Sequence, residues 1–156
     1  MTELPGLPER DPKQEWFHPS KRYAYHLAVE ATLRDTDAFG HVNNGVYASW
    51  IEEIRTKYVF ERQALTAVEQ LGFILASAKL DFRSPVLIHE TVDLFCAPSR
   101  VGESSWDLVY EGRARKDGRL VVEAQTTQVQ YDYTVKAAVP IPDAWRKLLE
   151  ADMVAT

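Results

Sequence analysis

The chain has 156 residues, 46% hydrophobic and 26% charged, enough for one ordinary core and too apolar for a disordered segment. Its net charge of −5 argues against a nucleic-acid protein, which would need a basic face, and its single cysteine excludes an intramolecular disulfide. No apolar run approaches the ~20 residues that cross a bilayer, and no apolar signal segment opens the chain, so a cytoplasmic protein without membrane association is expected.

Residues 1–22 hold Pro5, Pro8, Pro12 and Pro19 among charged residues and predict an extended N-terminal arm. Trp16 and Phe17 either dock that arm or belong to a flexible leader. Residues 23–151 then read as one domain. Tyr23 to Leu33 alternates, with Tyr25, Leu27, Val29, Ala31 and Leu33 on an inner face and His26 on the wetter one. A polar loop, Arg34 to Asn44, follows. Asn43 and Asn44 are N-cap residues for a helix from about Asn44 to Arg62, whose Tyr47, Trp50, Ile51, Ile54 and Tyr58 form one apolar stripe. Glu52, Glu53, Arg55 and Lys57 are placed largely off it.

Gln63 to Leu71 is undecided, with a short second helix as one reading. Phe73 to Phe82 alternates again, and its alanines suit close approach of a bulky helix. Thr91 to Pro98 turns Val92, Leu94 and Cys96 inward, Cys96 as buried filler. In the next strand Trp106, Leu108 and Tyr110 oppose a wet face of Asp107, Glu111 and Arg113. Lys116-Asp117-Gly118 is a hairpin turn before the longest strand, Leu120 to Tyr133, and a short helix is expected from Asp143 to Ala151. The fold class is therefore α+β, an antiparallel sheet of about five strands wrapped around one long helix.

Asp37, the run Gly40-His41-Val42-Asn43-Asn44, Tyr47 and Glu52 together resemble the 4-hydroxybenzoyl-CoA thioesterase family of the hotdog fold. The resemblance runs from about Tyr25 to Tyr133 and implies an acyl-CoA thioesterase in which coenzyme A is part of the substrate and no cofactor is needed. It further implies two sheets joined edge to edge, as a homodimer or homotetramer, with the Phe73–Phe82 strand at the join and sites between subunits.

Thioester hydrolysis needs an attacking oxygen and stabilisation of an oxyanion; the thiolate, with a thiol pKa of about 8.5, leaves without a strong acid. Asp37 is the candidate nucleophile or general base, and helix N-terminal N–H groups near Asn44 are the oxyanion donors. The alternative for Asp37 is a loop cap. Asp35 is expected to cap the loop rather than react. His41, Asn43 and Asn44 orient Asp37 or a water. Glu52 either supports the site from behind or is a solvated helix carboxylate. Arg83, Arg100 and the Arg113-Arg115-Lys116 group are the available cations for coenzyme phosphates. Arg100 with Gly102, Ser104 and Ser105 resembles the family's turn near the coenzyme. The spacing of Asp35, Asp37 and His41 matches no common zinc pattern, so no metal is expected. Two rival readings remain: a hotdog dehydratase or hydratase, and a non-catalytic acyl-CoA-binding module.

Overall fold

The computed structural model describes residues 23–155, so the proline-rich arm expected over 1–22 lies outside the described residues. Strand β1 (Tyr25–Glu30) leads through the polar loop into helix α1 (Asn44–Arg62). Strands β2 (Phe73–Phe82), β3 (Thr91–Val101), β4 (Ser105–Ala114) and β5 (Leu120–Asp132) follow, then the two-residue β6 (Ala137–Ala138) and helix α2 (Asp143–Ala151). The pairings are antiparallel in the order β1-β3-β4-β5-β2, with β6 on β5. This is the curled sheet around a long helix that the periodicities predict. No described helix is long and apolar enough to cross a membrane.

The apolar stripe of α1 (Tyr47, Trp50, Ile51, Ile54, Tyr58 and Val59) is buried against Val92, Leu94, Cys96, Trp106, Leu108 and Tyr110 of the sheet. Helix α2 closes one end of this core, its Trp145 ring standing edge-on to Trp106 at 5.5 Å. Ile54 is fully enclosed, so its truncation to Ala removes both burial and packing, a loss of about 2–5 kcal/mol.

Six expectations need correction. β1 is shorter than the alternation suggests: beyond Glu30 the chain turns into a 3-10 segment, Leu33–Asp35, and Leu33 is exposed. Gln63 to Leu71 contains only a 3-10 turn, Val68–Gln70. A bulge in β2 between Leu75 and Ser77 switches faces midway, so Phe73 and Leu75 share the inner face with Ala78, Leu80 and Phe82, while Ile74 turns outward. The helix backbone packs most closely on β1 and β3 and meets β2 through the Tyr47 and Phe82 rings, leaving Ala76 and Ala78 exposed. β3 runs past Pro98 to Val101, because a second register shift, between Pro98 and Arg100, accommodates the proline's missing donor.

The outer face of the sheet is the sixth correction. His26 is buried and bonds Asp93 at 2.8 Å, and Arg115 closes on the same carboxylate at 2.6 Å. Glu111 is buried with Arg113 at 2.7 Å, and Asp107 with Arg100 at 2.8 Å. The expected wet face is a set of paired charges because each carboxylate meets an arginine, Arg113 from the same strand as Glu111, and Arg100 and Arg115 from the neighbouring strand or just beyond it.

Candidate active site

The polar loop is fixed at both ends by backbone pairing. Thr36 bridges Val42, and the Asn43 N–H bonds the Asp35 carbonyl at 2.9 Å. Val42 donates to the Val86 carbonyl at 2.8 Å and His41 bridges Leu87, which ties the loop to the β2–β3 connection. Asp35 takes the capping role expected of it: its Oδ2 accepts from the Thr32 N–H at 2.8 Å and the Thr32 hydroxyl at 2.9 Å.

Asp37 sits at the bend. One of its oxygens, Oδ1, accepts the Phe39 N–H at 2.8 Å and the His41 N–H at 3.2 Å. Its own N–H bonds the His41 carbonyl at 2.8 Å, and Gly40 completes the turn at φ +77°, a conformation that only glycine adopts without strain. Both side-chain bonds fall on the same oxygen. Oδ2 has no hydrogen-bond partner among the described residues, and no arginine or lysine among them pairs with this carboxylate. Capping and reactivity are therefore compatible here: Oδ1 holds the group in place and Oδ2 faces outward from an exposed residue.

At the start of α1, Asn43 is the N-cap, with φ −66° and ψ 140°, its Oδ1 accepting the Gly45 N–H at 2.9 Å. Val46 donates to the Asn43 carbonyl, also at 2.9 Å. That leaves the Asn44 N–H as a first-turn donor without a partner among the described residues, at the positive end of the helix dipole. Tyr47 is buried one turn on, its ring 5.5 Å from Phe82 and 5.3 Å from Trp50. Burial raises its phenol pKa, against the opposing pull of the Val86 backbone.

The structure gathers Asp37, His41, Asn43, Asn44, Tyr47 and Arg83 at one end of the sheet and sets the other candidates apart. Arg83 follows β2 at that end, its backbone bonded to Val121 at 2.9 Å and its side chain to Glu123 at 2.9 Å. Ser105 pairs with Val129, eight residues further along β5, roughly 26 Å at ~3.3 Å per residue. Arg100, Ser104 and Ser105 thus lie at the opposite end of the same protomer, with Arg100 bonded to Ser105 and Asp107. Glu52 is exposed on the outer face of α1 beside Ser49, Glu53, Thr56 and Lys57. The Arg113-Arg115-Lys116 group is not free: Arg113 holds Glu111, Arg115 holds Asp93, and Lys116 stands 4.0 Å from Glu90.

Two bracing residues were not singled out in the sequence. Arg119 donates to the Pro85 carbonyl at 2.8 Å and to Glu90 at 2.6 Å, and Glu90 accepts the Leu87 N–H at 2.8 Å. Together they hold the segment on which the polar loop pairs. Only their separation by 29 positions in sequence hid them. Among the described residues, no cluster of three or more His, Cys, Asp or Glu is arranged to hold a metal.

Comparison with known proteins bears on the family and the fold. Residues 31–149 match the family described as the Thioesterase-like superfamily. An uncharacterised protein of Bacillus subtilis, YsmA, is 30% identical over 101 residues, covering 65% of this chain and 67% of that one. Among solved structures, a Thermus thermophilus thioesterase complexed with coenzyme A and Zn is 27% identical, with a TM-score of 0.73 over 81% of this chain and 91% of that one. A 1,4-dihydroxy-2-naphthoyl-CoA thioesterase from Synechocystis shares the fold at 19% identity, with a TM-score of 0.71 over 80% of this chain and 93% of that one.

Proposed function

The chain belongs to the Thioesterase-like superfamily and is a thioester hydrolase, and from that premise we propose that it cleaves an acyl-CoA to the free acid and coenzyme A through Asp37. The observation that carries this reading is the division of labour within one carboxylate. Oδ1 is held by two backbone N–H groups and Oδ2 is open, in the same loop as the unpartnered Asn44 N–H.

In the general-base route, Asp37 Oδ2 takes a proton from a water whose oxygen attacks the thioester carbon. The carbonyl oxygen becomes an oxyanion that the Asn44 N–H stabilises. Collapse breaks the C–S bond, and the departing thiolate recovers the proton from Asp37. In the nucleophilic route, Oδ2 itself attacks, expels the thiolate and forms a mixed anhydride, which water then hydrolyses. Neither route calls for a metal or redox cofactor. His41 and Asn43 act through the loop, His41 by its backbone bonds to Asp37 and Asn43 as the cap that exposes the helix start.

The proposed assembly is at least a homodimer joined along β2. That strand is the sheet edge, exposed along most of its length on both faces, with Ile74, Leu75 and Phe82 open to solvent. An unpaired edge of this kind invites pairing. An antiparallel join of two such edges brings the far end of one sheet to the near end of the other. The partner's turn at Arg100, Ser104 and Ser105 then approaches the Asp37 loop, which would unite the candidate substrate-binding set across the join. Light scattering should give a species of twice the chain mass or more; a species at the monomer mass of 17.8 kDa would contradict the join.

The functional test is thiol release from a panel of acyl-CoAs by the wild type and Asp37→Asn. A loss on the order of 10²–10⁴-fold in turnover with affinity retained is expected. Near-normal turnover would remove Asp37 from the chemistry, and tight binding without turnover in either protein would favour a binding module.

A further inference from the structure

Helix α1 carries a charge where its spacing calls for an apolar side chain. Arg55 is only 6% exposed, and its Nε finds no hydrogen-bond partner. Among the described residues no carboxylate pairs with it. The guanidinium acts on the Tyr110 hydroxyl as both a charge and a hydrogen-bond donor, and the buried Cys96 thiol also lies within its field. Tyr110 is bonded to the Thr126 hydroxyl at 2.7 Å, and Thr126 accepts from Gln128 Nε2, whose own Oε1 is buried and unpartnered. A chain of polar groups therefore crosses the inner face of β4 and β5, with a cation at one end and an unanswered acceptor at the other. Because Thr126 accepts from Gln128, it can donate to Tyr110, which frees the phenol proton for another acceptor near Arg55.

A buried cation without an anion is expensive to keep, and an apolar side chain of the same length would fill the space at lower cost. Its position suggests what offsets that cost. Asn44, Ala48, Ile51 and Arg55 recur at spacings of four, three and four, one stripe along α1 that starts at the unpartnered helix N–H. The opposite flank of the helix faces β1, where burial and the nearby Glu61 carboxylate raise the Tyr25 phenol pKa. The Arg55 flank turns toward Tyr110 and Cys96 of the sheet, and Ala78 of β2, opposite Thr126, is exposed. Asn44 and Arg55 are roughly 16 Å apart along the axis at 1.5 Å per residue. Long helical side chains lean toward the N-terminus, so the guanidinium comes back to on the order of 10 Å from the Asn44 N–H, the span of a medium-length or ring-containing acyl group.

Resting on the hydrolase reading above, we infer that Arg55 is the far end of the acyl site and receives a carboxylate carried by the acyl group, so that the preferred substrates are ω-carboxyacyl thioesters. The carboxylate would pair with the guanidinium and accept the Tyr110 proton, completing both groups at once.

The test compares matched pairs: octanoyl-CoA against its ω-carboxylated counterpart, and benzoyl-CoA against 4-carboxybenzoyl-CoA. Wild-type kcat/KM should favour the carboxylated member of at least one pair by about tenfold or more, the scale on which a site built for a polar group discriminates. Arg55→Met should abolish or invert that preference while turnover of the plain acyl-CoA stays within about threefold, and its melting temperature should hold or rise. Arg55→Lys, which keeps a charge, should retain part of the preference. Equal kcat/KM within both pairs in the wild type, or a preference that survives in Arg55→Met, overturns the inference. Affinities of the same pairs for the Asp37→Asn protein read the subsite apart from turnover. Preferential binding without thiol release from the wild type would defeat the hydrolase reading and leave Arg55 standing. Thiol release without preference in rate or affinity would defeat Arg55 alone.

Discussion

The polar loop and the outer face of the sheet both display carboxylates, and they treat them in opposite ways. On the outer face Asp93 meets His26 and Arg115, Glu111 meets Arg113, and Asp107 meets Arg100 and Thr127. In the loop, Asp37 meets only backbone N–H groups, and only on one oxygen. A carboxylate bound by a guanidinium has its lone pairs occupied and its charge answered, which suits it to joining strands. A carboxylate held by one oxygen keeps the other for a water or a carbonyl carbon.

That contrast can be broken at the paired end first. Asp93→Ala removes a buried carboxylate and with it the acceptor that His26 and Arg115 share. The loss should be about 3 kcal/mol, the low end for a broken buried pair, because Arg115 keeps 35% of its side chain exposed. Chemical denaturation would measure it. Activity per folded molecule should persist.

Acid should weaken the same face. Burial pushes the Asp93 carboxyl up, but His26 and Arg115 outweigh it and hold it below the usual carboxylate range. Arg100 lowers Asp107 against opposing burial, and Arg119 does the same for Glu90. Groups depressed in the folded state add stability that is fully present above the unfolded pKa, about 4, and is lost as pH falls through their folded values. The contribution of these groups to melting temperature should therefore be level from pH 7 to about 5 and decline below about 4. In Asp107→Asn that acid decline should be shallower.

Smaller effects sharpen the loop side. Gly40→Ala meets no atoms within 4 Å but must hold φ +77°, so strain of roughly 1–2 kcal/mol is expected, with turnover falling as the Asp37 bend shifts. Lys57→Ala removes an exposed pair with Glu53 at 3.7 Å and should change stability by less than ~0.5 kcal/mol.

Much of this was legible in the sequence. The N-cap signal of Asn43 and the stripe from Tyr47 to Tyr58 define α1, and the alternating runs give the four long strands near their observed bounds. What alternation could not give was the bulge in β2, since one extra residue inverts a face without altering composition. His26, Asp107 and Glu111 were assigned to solvent because charge was equated with exposure; strand register brings Asp93 to His26 and Arg100 to Asp107, while Arg113 reaches Glu111 from two residues along the same strand. Arg55 was placed off the stripe for the same reason, although four residues after Ile51 and three before Tyr58 is an inward position. In the loop, the sequence left capping and catalysis as alternatives for Asp37. Only the hydrogen-bond geometry shows that capping occupies one oxygen and leaves the other without a partner among the described residues.

The most direct test of the account measures turnover and melting temperature of Asp37→Asn on one preparation beside the wild type. The amide oxygen of Asn can still accept the Phe39 and His41 N–H groups, so the melting temperature should move little while thiol release falls by on the order of 10²–10⁴-fold. A folded Asp37→Asn protein with near-normal thiol release would contradict the account, and so would one that has lost its fold.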